Sequence, residues 1–191
     1  MRPTIASPRT VAGSVAAALA SIVAVSAYPA FAEPLKGREV VKEIGGASVS
    51  CTDAYGQSVH SVLVANLGDV GRARNLFKTP VIMLDPDHLN RLPAKLQLFF
   101  FGHECAHHVL GHTYVMRPSA ESEADCWAAK DGRDRGLFTR YEVEGWAPWF
   151  AKSRGNAASG HMPGPERAKF ILACFDEKPE TAAKTTVTSQ Q

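Results

Sequence analysis

His103 and His107 enclose Glu104 in the segment Gly102-His103-Glu104-Cys105-Ala106-His107-His108-Val109-Leu110-Gly111-His112. On a helix, residues four apart leave the same face one turn from each other. That is the spacing two imidazole ligands of a tetrahedral Zn²⁺ ion require. Glu104 lies about 100° around such a helix. It can take a proton from a water that zinc has acidified toward a pKa of ~7, without occupying the metal itself. Five residues alone are a modest signal, because apolar helices acquire two histidines by chance.

A third ligand is therefore needed, and Glu121-Ser122-Glu123-Ala124-Asp125 follows on the next expected helix. Glu121 can complete a His₂Glu set. Asp125 lies one turn further along the same face, where it can accept the outer N–H of a ligating histidine. An acidic helix start would also suit the helix dipole, but the apolar Ala124, Trp127 and Ala128 give this helix a buried side. Glu123 is the rival ligand, on a different face. A metzincin site is excluded by register, since Leu110 and Thr113 stand where its glycine and third histidine belong. His108 and His112 are expected as exposed polar groups or as outer partners of a ligand.

The elements that must position these groups can be read from pattern. Pro93 suits a helix start, and Leu96, Phe99, Phe100, His103, His107 and Leu110 share one helical stripe that Gly111 ends. A second helix is expected from Ser119 to Lys130, ended by Asp131-Gly132. Leu137 to Ala151 reads as helical, with Trp146, Trp149 and Phe150 in the core. Arg154 to Pro165 reads as loop, and Glu166 to Phe175 as a closing helix. Strands are expected at Ala47–Cys51, Val59–Ala65 and Val81–Leu84. Glu33 to Lys42 forms a lead-in segment or first helix.

Arg2 and Arg9, the apolar run Val11 to Ala27 and the small-residue site Ala30-Phe31-Ala32 have the order of a secretory signal peptide. The run is shorter than the ~20 residues that span a bilayer, and no cysteine follows it as a lipoprotein would need. We expect a leader at 1–32, one domain at 33–177, and a disordered tail at 178–191. Without the leader, 19 basic residues face 19 acidic ones, which gives no electrostatic case for a nucleic-acid or membrane partner. All four cysteines, Cys51, Cys105, Cys126 and Cys174, lie past the leader. An even count in an exported chain favours disulfides with three possible pairings. Cys105 faces away from the two ligands on its helix. Joining Cys105 to Cys126 would tie the ligand helices together and leave Cys51 for Cys174; we carry that pairing as an expectation.

HExxH followed by ExxxD resembles the gluzincin zinc peptidases, and most closely the soluble bacterial relatives of the CAAX-prenyl endopeptidases. Glu121 to Ala128 is similar to the third-ligand helix of that branch. His161-Met162-Pro163-Gly164-Pro165-Glu166-Arg167 is similar to its C-terminal His-Pro segment and following arginine. The likeness covers Val81 to Phe175, and residues 33–80 match no pattern. It implies a small zincin-like α+β domain, with a short, mostly antiparallel sheet packed on the HExxH helix and the second ligand helix. One Zn²⁺ held by His103, His107 and Glu121 would serve peptide hydrolysis with Glu104 as base. His161 would approach the substrate oxyanion, and Arg167 would orient the site. A peptide or protein substrate would add as an extended strand at the cleft edge, for which Val81–Leu84 is the expected strand. The chain departs from the membrane members in lacking their spanning helices, and from many relatives in carrying Cys105 inside the motif. A proteolytically silent zinc-binding adaptor or inhibitor, or a zinc hydrolase of another amide or ester, would use the same ligands.

Overall fold

The first strands are short and their turns are set by glycine. In the computed structural model, which describes residues 40–115, 117–156 and 160–178, β1 (Glu43–Ile44) and β2 (Ala47–Ser48) form a minimal antiparallel hairpin. Gly45 and Gly46 close it at φ 56° and 77°, a region other residues rarely adopt. The expected leader and most of the tail lie outside the described residues. So does most of the lead-in segment; its described end is extended, with Val40 bridging Val62.

β3 (His60–Leu63), β4 (Gly71–Leu76) and β5 (Thr79–Leu84) form a mixed sheet in the order β3-β5-β4. β5 runs parallel to β3 and antiparallel to β4. Val81, Ile82 and Leu84 are fully buried, because a central strand needs apolar groups on both faces. This corrects the expected cleft edge. Among the described residues Val81–Leu84 is flanked on both sides and cannot accept a further strand, whereas no strand pairs with the outer edge of β4.

After the short α1 (Pro86–Leu89), capped by Asp85, comes α2 (Ala94–Val109). It starts after Pro93 and is followed by Gly111 at φ 74°. Leu96 and Phe99 pack into a helical core with Ala128, Phe138, Trp146 and Ile171. Leu98, Phe101 and Cys105 pack on the opposite side with Ile82, Leu84 and Cys51. α2 is thus the shared wall of two cores.

α3 (Ala120–Asp134) lies close against α2, where a Cβ on Gly102 would stand 3.4 Å from the Ala128 Cβ. It runs through Asp131-Gly132, which was expected to end it. Gly132 instead makes room for a ring: a Cβ there would sit 1.9 Å from Phe138 Cζ. The expected Leu137–Ala151 helix is two pieces, α4 (Arg140–Glu144) and α5 (Ala147–Phe150), separated at Gly145. Thr139 and Glu142 close a capping box on α4. Trp146 and Phe150 are buried as expected, but Trp149 is half-exposed, on another face of its single turn. α6 (Gly164–Asp176) closes the domain.

The disulfides are Cys51–Cys105 and Cys126–Cys174, not the expected Cys105–Cys126 and Cys51–Cys174. The two cores explain the correction. Cys105 faces the sheet-side cluster with Cys51, while Cys126 packs toward the helical cluster that holds Cys174. Each bond ties one ligand helix to a neighbour. No described helix is long and apolar enough to cross a membrane, and two disulfides fit an oxidising compartment. The Cys126→Ala/Cys174→Ala double variant is expected to lose about 2–4 kcal/mol of stability in urea denaturation. A non-reducing peptide map should recover Cys51 joined to Cys105.

Candidate metal centre

The i, i+4 spacing on α2 brings the His103 and His107 Nε2 atoms to 3.2 Å from each other. The first turn of α3 adds Glu121, with Oε2 3.2 Å from His103 Nε2 and Oε1 3.6 Å from His107 Nε2. Donor atoms of these three residues all lie within 4.8 Å of one another. A tetrahedral zinc with bonds of 2.0–2.1 Å has ligand–ligand edges of about 3.3 Å, so the cluster has the dimensions of a His₂Glu site. Glu121 Oε2 is buried without an aligned hydrogen-bond donor, an orphan acceptor that a cation would satisfy.

Groups behind the imidazoles set their tautomers. His103 Nδ1 lies 2.8 Å from Asp125 Oδ1, which assigns the proton to Nδ1 and turns the Nε2 lone pair inward. Arg167 donates to both Asp125 oxygens at 2.8 and 2.7 Å. Its guanidinium sits over the rings of Phe100 and Phe150 at 5.7 and 5.5 Å. His107 has a longer chain: its Nδ1 lies 3.2 Å from His112 Nδ1, and His112 Nε2 lies 2.9 Å from Glu123 Oε2. Glu123 accepts from His112 Nε2–H, so His112 Nδ1 accepts from His107, and the His107 Nε2 lone pair also points into the cluster.

These contacts place the candidate residues. His103, His107 and Glu121 converge, and Asp125 backs His103. Glu123, the rival ligand, serves His112 instead. Neither His108 nor His112 is exposed; His108 Nε2 donates to the Val81 carbonyl at 3.1 Å. Arg167, expected to orient the site, reaches His103 through Asp125. His161 Nε2 stands 3.0 Å from Glu121 Oε2, and its backbone pairs with Asn156.

Glu104 is buried beneath the start of β4, and a Cβ on Gly71 would lie 2.8 Å from Glu104 Cγ. Only glycine leaves room for the carboxylate. No sequence signal marked Gly71, or the His112–Glu123 pair. A cleft of about 520 Å³ runs past Gly71, Arg72, Arg74, Glu104, Glu121 and His161.

In the metal-free protein burial and neighbouring charges pull on these groups in opposite senses. Burial alone would lower the His103 pKa, but Asp125 and Glu121 outweigh it and push it up to about 10. Burial raises the Glu104 carboxyl, with His103 and His107 opposing. Burial would also raise Asp125, yet His103 and Arg167 hold it below the usual range. Glu121 is likewise lowered against burial, by its three histidine neighbours.

Compared with known protein families, characterised proteins and solved structures, the chain gives no match.

Metal analysis of purified variants checks the ligand set. His103→Ala and Glu121→Ala should lose stoichiometric zinc, whereas Glu123→Ala should retain it with affinity about 10–100-fold weaker. Full zinc affinity in Glu121→Ala would remove Glu121 from the set. Because the His103 pKa is raised, the free site holds a proton at neutral pH. Zinc uptake should release about one proton, measurable by calorimetry in buffers of different ionisation enthalpy, and affinity should weaken as pH falls.

Proposed function

We propose that the protein is an exported zinc endopeptidase of the gluzincin type, hydrolysing peptide bonds with Glu104 as general base. One observation carries this reading. A buried carboxyl that is not among the clustered donor atoms lines the same cleft as a His₂Glu set. An adaptor that only holds metal has no use for it. Burial raises the pKa of this carboxyl above the usual carboxylate range, the direction a general base needs.

When bound, zinc supplies Lewis-acid chemistry, acidifying a water toward a pKa of ~7 and polarising the scissile carbonyl. Glu104 accepts the water's proton and delivers it to the departing amine nitrogen. His161, lining the cleft beside Glu121, donates toward the carbonyl oxygen as negative charge develops. Arg167 and Asp125 keep His103 in the tautomer that turns Nε2 inward. β4, an edge strand among the described residues and part of the cleft wall, receives the substrate as an extended strand. The leader directs the chain to the periplasm or the exterior, where disulfides persist.

Casein and peptide mixtures test the proposal. Glu104→Gln should lower turnover at least ~100-fold while retaining stoichiometric zinc, and chelation should abolish activity until zinc is restored. If wild type and Glu104→Gln behave alike with zinc bound, the silent adaptor or inhibitor reading replaces the peptidase. Gly71→Ala should displace Glu104 and reduce turnover by about 10- to 100-fold without loss of zinc.

A further inference from the structure

We propose that Arg72 and Arg74 select peptides carrying acidic side chains; this inference rests on the peptidase reading above. β4 is joined to β5 by a two-residue turn, with Leu76 opposite Thr79. In such a hairpin Leu76, Arg74 and Arg72 direct their backbone groups to β5, while Asn75, Ala73 and Gly71 direct theirs to the free edge. The Asn75 end is occupied, since its side-chain amide reaches Thr113 Oγ1 at 3.2 Å. Among the described residues, the stretch of this edge beside Glu104 is Gly71 to Ala73, with no strand paired to it.

Alternation along the strand separates two functions. Gly71 and Ala73 are buried, with Gly71 against Glu104, whereas Arg72 and Arg74 are exposed on the other face and line the cleft. Beyond the metal cluster and Glu104, the charged groups of the cleft wall are Arg72, Arg74 and Arg117 against Asp69. Arg117 lies 3.7 Å from Glu123, so the two β4 arginines dominate the field a peptide meets.

Arg74 also guards the edge. Its Nη1 donates to the Ala73 carbonyl at 3.1 Å, the acceptor that an incoming backbone N–H needs. A substrate carboxylate on the arginine face gives the guanidinium a charge-assisted partner and frees Ala73 O for the new ladder. A neutral side chain offers no such exchange, and a cationic one is repelled.

The test uses zinc-loaded full-length protein and alanine-rich fluorogenic decapeptides with a single Glu or Gln moved through every position. At one or two positions on the arginine face, Glu peptides should have kcat/KM about fivefold or more above their Gln partners. The preference should shrink at high ionic strength, vanish in Arg72→Ala/Arg74→Ala, and turn toward Lys peptides in Arg72→Glu/Arg74→Glu. The same peptides are titrated by fluorescence anisotropy into zinc-loaded Glu104→Gln, which reads binding without turnover. Equal cleavage and equal binding of Glu and Gln peptides overturn the proposal and leave the peptidase reading standing. So does a Glu preference that survives the double alanine variant. Tighter binding of Glu peptides through the two arginines, with no cleavage of any peptide, overturns the peptidase reading and upholds the selectivity.

Discussion

Asp125 is where the architecture and the metal cluster meet. Its carboxylate is almost wholly buried on α3, one oxygen on His103 of α2 and both on Arg167 of α6. A buried carboxylate is stable only when its charge and lone pairs are matched, and here a guanidinium and an imidazole N–H match them. The three helices can therefore close only in the arrangement that fixes the His103 tautomer. Arg167 is confined in turn by Phe100 and Phe150, the latter at the end of α5. Helix packing and ligand geometry are in this way one constraint.

α2 can carry that constraint because it is packed between two cores. Apolar groups hold it on two sides, and each ligand helix is cross-linked to a different partner, α2 to Cys51 and α3 to Cys174. Had the bonds joined α2 directly to α3, the second core would have been left unstapled. The observed pairing fastens both cores, and where α2 and α3 come closest small residues meet, Gly102 against Ala128. Close approach of those backbones lets Glu121 reach the two imidazoles from the next helix.

How much of this was legible in sequence follows from which signals are local. Two histidines four apart, a glutamate between them and acids one turn apart on the next helix depend only on helical periodicity, and the cluster they predict is the one observed. The α+β class and the helices at α2 and α6 were legible for the same reason. β4 was not, because Gly71-Arg72-Ala73-Arg74 buries only glycine and alanine and shows no apolar alternation. Its turn, Phe77-Lys78, adopts φ 49° and 69° without the Asn or Gly that normally announces such a hairpin. Missing β4 moved the expected cleft edge onto the central strand. Gly132 misled in the opposite sense: a glycine that normally punctuates a helix was there for a ring. The disulfide pairing and the His112–Glu123 chain depend on which side of α2 each group faces across the fold, which periodicity within one helix does not determine.

Charge bookkeeping unites the rest of the site. Asp125 is matched by Arg167, and Glu123 by His112 with Arg117 nearby. What remains is Glu104 and Glu121 around two inward-facing imidazoles. With no cation this remainder is two acids beside His103, whose pKa is pushed up to about 10, so that its proton offsets part of their charge. In the function we propose, a divalent ion would replace that proton and balance both carboxylates, with Glu104 left as the base. Arg72 and Arg74 then lie outside a balanced centre, where their positive field is left to act on whatever enters the cleft.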